Sequence, residues 1–317
     1  MTMISPEFSA ESVVLPVSAP KEMLSVRRLD DGRTHYRINS SSLTLIQECM
    51  RKTKYSLVEK WKKETEDAAT LFGKAIHGAL DVYYRGDREE RILPSLESLQ
   101  LLGYGHKPPP TNNDLIYRSI AEFVRIAQPL SQLPETDKRS IQNGIWILHE
   151  YFKTYIDDPY VAYVDESGPF IERDFTLRFH EDAQRVIDVF GRIDFVFRNT
   201  LNGSLLPGDH KTSSSLGYGE SSYFDRDKPN HQYSLYMLGV RRVFGLDVTD
   251  FAVNVIEVKA KPKGPKAKGV SFPRQITRRT EEDFEELKEV ILDAVFRYEI
   301  ALATDVWPQH QTIMSDG

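Results

Sequence analysis

The segment 186–213, VIDVFGRIDFVFRNTLNGSLLPGDHKTS, constrains the fold most. Its Val-, Ile- and Phe-rich runs predict two strands, residues 185–197 and 204–211. Asn202-Gly203 between them is a hairpin-type turn signal, in a loop longer than the two-residue minimum. Pro207 predicts a bulge or an irregular start to the second strand. Side chains alternate along a strand, so Asp209 and Lys211 share a face. Closing the hairpin brings Asp194 beside them. Two carboxylates and one ammonium then share a small patch. A hard divalent cation favours such oxygens, completed by water and a backbone carbonyl, here that of His210. The plainer reading of Asp209 and Lys211 is an exposed ion pair worth little.

Composition narrows the class. The chain has 317 residues, enough for one elaborated domain or two. With 40% hydrophobic and 28% charged residues it reads as a soluble globular protein. A net charge of −6 excludes a basic field over the whole surface, so a nucleic-acid site must be a local patch. Cys49 is the single cysteine, which excludes an intramolecular disulfide and any multi-cysteine zinc or iron–sulfur site. No apolar run reaches membrane-spanning length. The start of the chain lacks a basic region followed by an apolar core, so no signal peptide is expected.

Taken in order, residues 1–35 read as a flexible arm, with 13–17 able to pair as an edge strand. A helix opens at Ser40-Ser41-Ser42 with a serine cap and runs to about residue 61. Arg51, Lys52 and Lys54 are either its solvated face or a DNA-facing end. The segment 67–84 is a second helix. Gly73 and Gly78 inside it cost about 1 kcal/mol each relative to Ala, which predicts close approach of a backbone or a ligand. His77 shares the face of Gly73 and is either a structural histidine or a metal ligand.

Residues 85–158 read as a helical insertion, with helices at 114–127 and 135–155. Strand character returns at 170–177, where Glu172 is either a surface charge or a further acid of the Asp194 cluster. A Ser/Gly-rich loop covers 212–222. The helix 230–244 places Gln232 and Tyr236 on one face. A strand at 251–258, a basic loop at 259–268 (KAKPKGPKAK), a strand at 272–276, a helix at 281–303 and a tail at 304–317 complete the chain. The alternation after residue 160 predicts an α/β fold, a mixed central sheet flanked by helices.

In order, Gly73-x-x-x-His77, Glu172, GRID with Asp194, GDHKTS with Asp209 and Lys211, and Gln232-x-x-x-Tyr236 resemble the RecB-like branch of the PD-(D/E)xK nuclease superfamily. Its members include the nuclease domains of RecB and AddB, CRISPR-associated RecB-like exonucleases and phage exonucleases. The resemblance spans residues 36–303. It implies a restriction-endonuclease-like core and hydrolysis of DNA phosphodiesters with Mg²⁺ or Mn²⁺. It further implies Asp194, Asp209, the His210 carbonyl and His77 as metal ligands, and Lys211 as general base or charge stabiliser. Gln232 and Tyr236 would support Lys211 and contact the strand.

Several relatives carry an iron–sulfur cluster at the position of Cys49. This chain lacks the other cysteines, so no cluster is expected, and packing of the 281–303 helix is left to hold the two ends together. The expected substrate is linear DNA, single- or double-stranded, in the cytoplasm of a bacterial or phage-infected cell. Repair, recombination and phage DNA processing are the roles the branch implies. A helicase or recombination partner, a homo-oligomer, an endonuclease on the same fold and a catalytically silent DNA-binding module all stay open.

Overall fold

The computed structural model describes residues 24–62, 64–107, 115–214, 216, 224, 230–262, 264 and 269–309. In chain order these form β1 (Leu24–Arg28), β2 (Thr34–Ile38), α1 (Ser40–Glu48), α2 (Met50–Thr53), a π-helical turn (Lys54–Val58), α3 (Ala68–Arg85), α4 (Leu96–Gly103), α5 (Leu115–Ala127) and α6 (Ile141–Tyr155). Then follow β3 (Tyr160–Ala162), β4 (Val164–Asp165), β5 (Gly168–Pro169), β6 (Ile171–Glu181), β7 (Arg185–Asn199), β8 (Leu205–Ser213), α7 (His231–Val243), β9 (Asp250–Glu257), β10 (Arg274–Arg278) and α8 (Glu281–Thr304). No helix among the described residues is long and apolar enough to cross a membrane.

The long strand β7 is the axis of an eight-stranded mixed sheet ordered β1-β2-β7-β8-β9-β10, as the alternation of strands and helices predicted. β2 runs parallel to its first residues and β8 antiparallel to its last. β6 and then β3 pair along the other side. The β2 ladder ends at Val189 and the β8 ladder begins at Phe195. Among the described residues no strand pairs with this side of β7 in between, and Asp194 stands in that gap.

Each face of the sheet carries its own core. α1, α7 and α8 cover Phe175, Val189, Ile193, Val196 and Val253. The helices α3 to α6 cover the other face, meeting Ile171, Phe195, Phe197, Leu206 and Ile256. Strict alternation would put Ile193 and Phe195 on the same face, yet they enter opposite cores. Ile171 and Phe175 on the neighbouring strand part in the same way. Both strands therefore change phase at one level, between Ile193 and Phe195 on β7 and between Ile171 and Phe175 on β6. Glu172 marks the slip with a left-handed backbone, φ 53°.

Several expectations need correction. The arm expected over 1–35 is shorter, because residues 24–28 and 34–38 form β1 and β2 at the sheet edge. The segment 13–17 lies outside the described residues. Asn39, not a serine, caps α1: its side chain accepts from the Ser42 N–H, and Ser42 Oγ accepts from the Asn39 N–H. The single helix expected to residue 61 breaks at Cys49, whose backbone is extended, and resumes as α2 and the π turn.

Pro207 causes no irregularity. Its partner Val196 directs its N–H to Phe170 and its carbonyl to Tyr163, so no donor is required from Pro207 on that side. Gly203 adopts φ 76° in the turn, a conformation that favours glycine. Gly78 is explained by helix packing: a Cβ there would meet Ile126 of α5 at 2.4 Å.

The segment after Cys49 and the stretch that follows α8 are clasped together. The Arg51 N–H donates to the Pro308 carbonyl at 3.2 Å, and Lys54 pairs with Asp305 at 2.8 Å beneath the Trp307 ring. Trp307 Nε1 donates to Asp305 and the indole packs edge-on against Tyr298 of α8. α8 is tied to the sheet by Glu299, which accepts from Arg185 twice at 2.8 Å and from Tyr36 at 2.8 Å.

Candidate active site

A cleft of about 1030 Å³ opens at the gap in the sheet, between α3 and α7. α3 contributes Gly73, Lys74, His77, Asp81 and Arg85 to its lining, and the strands contribute Glu172, Arg192, Asp194 and Lys211. A side chain at Gly73 would press on Thr212 Oγ1 at 3.1 Å, so glycine keeps this wall open.

The structure brings the sequence-predicted residues together. Asp194 Oδ2 accepts from the His210 N–H at 2.8 Å and lies 3.3 Å from His77 Nδ1. Asp209, 3% exposed, pairs with Lys211. Gln232 on α7 holds both: its Oε1 accepts from Lys211 at 3.2 Å and its Nε2 donates to Asp209 at 3.4 Å. Tyr236, one turn later, lines the cleft and packs edge-on against Phe175. The His210 side chain points away. Its Nδ1 meets Asn254 at 3.0 Å and its ring lies over Phe195 and Tyr84. The backbone of His210 faces the site: its carbonyl accepts from His77 while its N–H meets Asp194.

Charge in the site is crowded. Burial, with Asp209 and Glu172 adding like charge, pushes the Asp194 carboxyl well above the usual carboxylate range. Burial is also the main cause that raises Glu172 to about 7, opposed by Arg192. Desolvation pulls His77 down and so favours the neutral imidazole, the form that ligates metals. Burial works against the Lys211 ammonium, but Asp209 and Asp194 outweigh it and the net shift is upward. Burial lifts the Tyr236 phenol to about 12.

This donor set fits a divalent cation. His77, Glu172 and Asp194 each offer an atom, all within 4.8 Å of one another. Two oxygens and one imidazole suit a divalent cation, with Asp209 and the His210 carbonyl close by. Glu172 joins the site only because its left-handed backbone turns it out of the strand's alternation.

Sequence reasoning missed three features here. Arg192 is bidentate to Asp174 at 2.7 and 3.0 Å and reaches to 3.8 Å from Glu172. Arg85 pairs with Asp81 and donates to the Ile171 carbonyl at 2.7 Å, beside Glu172. A buried chain also runs beneath the site, from His210 through Asn254 to the Tyr151 hydroxyl at 2.6 Å and on to Tyr84 at 2.8 Å. Arg192 lies within the expected strand 185–197, but Arg85 falls just beyond the expected helix 67–84, and Asn254 was read only as part of the strand 251–258.

Arg51 and Lys54 serve the terminal clasp, Lys74 pairs with Glu66, and much of the 259–268 loop lies outside the described residues.

No curated protein sequence matches the chain. The model of the PD-(D/E)XK nuclease superfamily matches residues 37–305, from the sheet edge at β2 to the end of α8. With that match over most of its length, and with a mixed sheet that carries Asp194, Asp209 and Lys211 into one cleft, the chain belongs to the PD-(D/E)XK nuclease superfamily.

Proposed function

We propose that this nuclease is a divalent-metal-dependent deoxyribonuclease of the RecB-like branch, acting on linear DNA from its ends. The observation that carries the metal reading is the convergence of His77, Glu172 and Asp194 within 4.8 Å, beside the Asp209–Lys211 pair. The ordered motifs from Gly73 to Tyr236 support the branch.

In this reading Asp194, Glu172 and His77 hold Mg²⁺ or Mn²⁺, with Asp209 and the His210 carbonyl completing the set. The bound ion supplies a more acidic water and charge relief at the scissile phosphate. The protein's own groups do the rest. Gln232 fixes Lys211 against Asp209 and limits its ammonium to one direction. Lys211 then donates to a phosphate oxygen and stabilises charge that develops there. Tyr236 offers its hydroxyl to the sugar–phosphate edge of the strand. Arg85 and Arg192 flank the cleft, and each can donate to a phosphate of the bound strand.

The test is a time course on linear and closed-circular forms of one plasmid with Mn²⁺, Mg²⁺ or EDTA. The expected result is metal-dependent loss of the linear form alone, abolished at least 10²-fold by Asp209→Ala, since a positioned charge at the reacting centre is worth that much. Equal loss of both forms indicates an endonuclease. Retained binding without cleavage of either indicates a silent module.

A further inference from the structure

We propose that Tyr55 and Trp61 form a base-stacking platform for single-stranded nucleic acid on the segment that leads into the cleft helix α3. Their rings stack with centroids 4.8 Å apart and planes 19° apart. Trp61 is nonetheless 66% exposed, whereas Trp146 and Trp307 are 6% and 7% exposed. The core therefore does not hold the pair.

The backbone does. Tyr55 lies in the π-helical turn, a rare form found often at functional sites. Lys60 follows with a left-handed φ of 60°, and the Trp61 N–H donates to the Tyr55 carbonyl at 2.8 Å. Two unusual local conformations thus present an indole to solvent with one face backed by a phenol.

Charge selects the occupant. Residues 51–66 carry six lysines and arginines against three glutamates, in a chain whose net charge is −6. Lys60 and Lys62 flank Trp61 in the sequence, and both are exposed. Stacked aromatics edged by cations match a single strand, whose unpaired bases offer π faces and whose phosphates meet the ammonium groups. A duplex buries those faces.

Position ties the platform to the cleft. Glu66 pairs with Lys74, which lines the cleft, and Trp61 is five residues from Glu66. Five residues span at most about 18 Å. A strand that reaches the carboxylates can therefore lay a base on Trp61 a few nucleotides away. The proposal rests on the nuclease reading for its purpose but not for its test.

The test is a fluorescence titration of the full chain in EDTA, where no turnover occurs. Trp61 is the exposed indole, so stacking on it quenches the accessible emission. The probes are a 15-nucleotide oligothymidylate and a blunt duplex of the same length. The expected result is quenching of the parent by the oligothymidylate and, read for every variant by the anisotropy of the labelled probe, about tenfold weaker binding of it by Trp61→Ala, as loss of one stacked base predicts. Trp61→Phe recovers part of the affinity, and duplex binding changes less than twofold. Absence of quenching, unchanged oligothymidylate affinity in Trp61→Ala, or an equal loss on the duplex each overturns the proposal. Quenching in a chain that cleaves nothing with Mn²⁺ supports the platform while sinking the nuclease reading. Cleavage by a Trp61→Ala variant with parental single-strand affinity does the reverse.

Discussion

Glu172 joins backbone strain and site chemistry in one residue. A non-glycine residue in the left-handed region costs about 1 kcal/mol or more. Glu172 accepts that cost, and it also lies in the crowded acidic pocket. Glu172→Gly removes the steric penalty and the buried carboxylate together, while adding backbone entropy to the unfolded chain. The expected outcome is a stability in EDTA equal to the parent's or higher by up to about 1 kcal/mol, with markedly weaker Mn²⁺-dependent cleavage. Thermal melts beside a Mn²⁺ titration of activity check it; a clear loss of stability would show that the carboxylate holds the fold. The same residue marks where sequence reading stops. Asp194, Asp209 and Lys211 were legible because strand alternation and one hairpin place them. Glu172 was legible only as an alternative, because nothing in Ile171-Glu172-Arg173 announces a left-handed backbone. Asn254 was not legible at all, since its partners Tyr151 and His210 come from distant elements.

Among the elements, the clasp between the end of α8 and the segment after Cys49 answers what holds the termini. An apolar ring supplies most of it. Trp307 is 7% exposed and packs on Tyr298, and truncating such a residue costs about 3 kcal/mol. Asp305 is 78% exposed in its side chain, so its pairing with Lys54 is screened by water. Trp307→Ala should therefore lower the urea midpoint strongly, and Asp305→Ala only slightly. If the two variants unfold at the same midpoint, the ion pair and not the indole is the fastener. The boundaries of α3, α5, α7 and α8 were readable from apolar spacing. The break at Cys49 was not, because no Gly or Pro marks it in residues 40–61 and the partner that Arg51 meets after the break, Trp307, lies 256 residues along the chain.

Across the whole molecule, the charge balance sets how DNA can be held. The net charge is −6, and each cation lining the cleft already has an acidic partner: Lys74 with Glu66, Arg85 with Asp81, Arg192 with Asp174, Lys211 with Asp209. The cleft without metal therefore presents carboxylates to an incoming phosphate backbone. A divalent cation reverses the local sign, so affinity and not only turnover should depend on it. Ca²⁺ usually supports binding by such oxygen-rich sites and allows binding to be read without a catalytic ion. In filter binding at fixed ionic strength, Ca²⁺ should tighten DNA binding by the parent about tenfold over EDTA. Asp194→Asn keeps the shape and removes one charge from the centre of the cleft. In EDTA, at an alkaline pH where the raised Asp194 carboxyl of the parent is ionised, it should bind DNA more tightly than the parent, because a like-charge repulsion close to the phosphate is gone. In Ca²⁺ it should gain less than the parent, having lost a ligand. Weaker binding by Asp194→Asn in both conditions would place the DNA backbone away from the carboxylates, and with it the reading of this cleft as the cleavage site would fail.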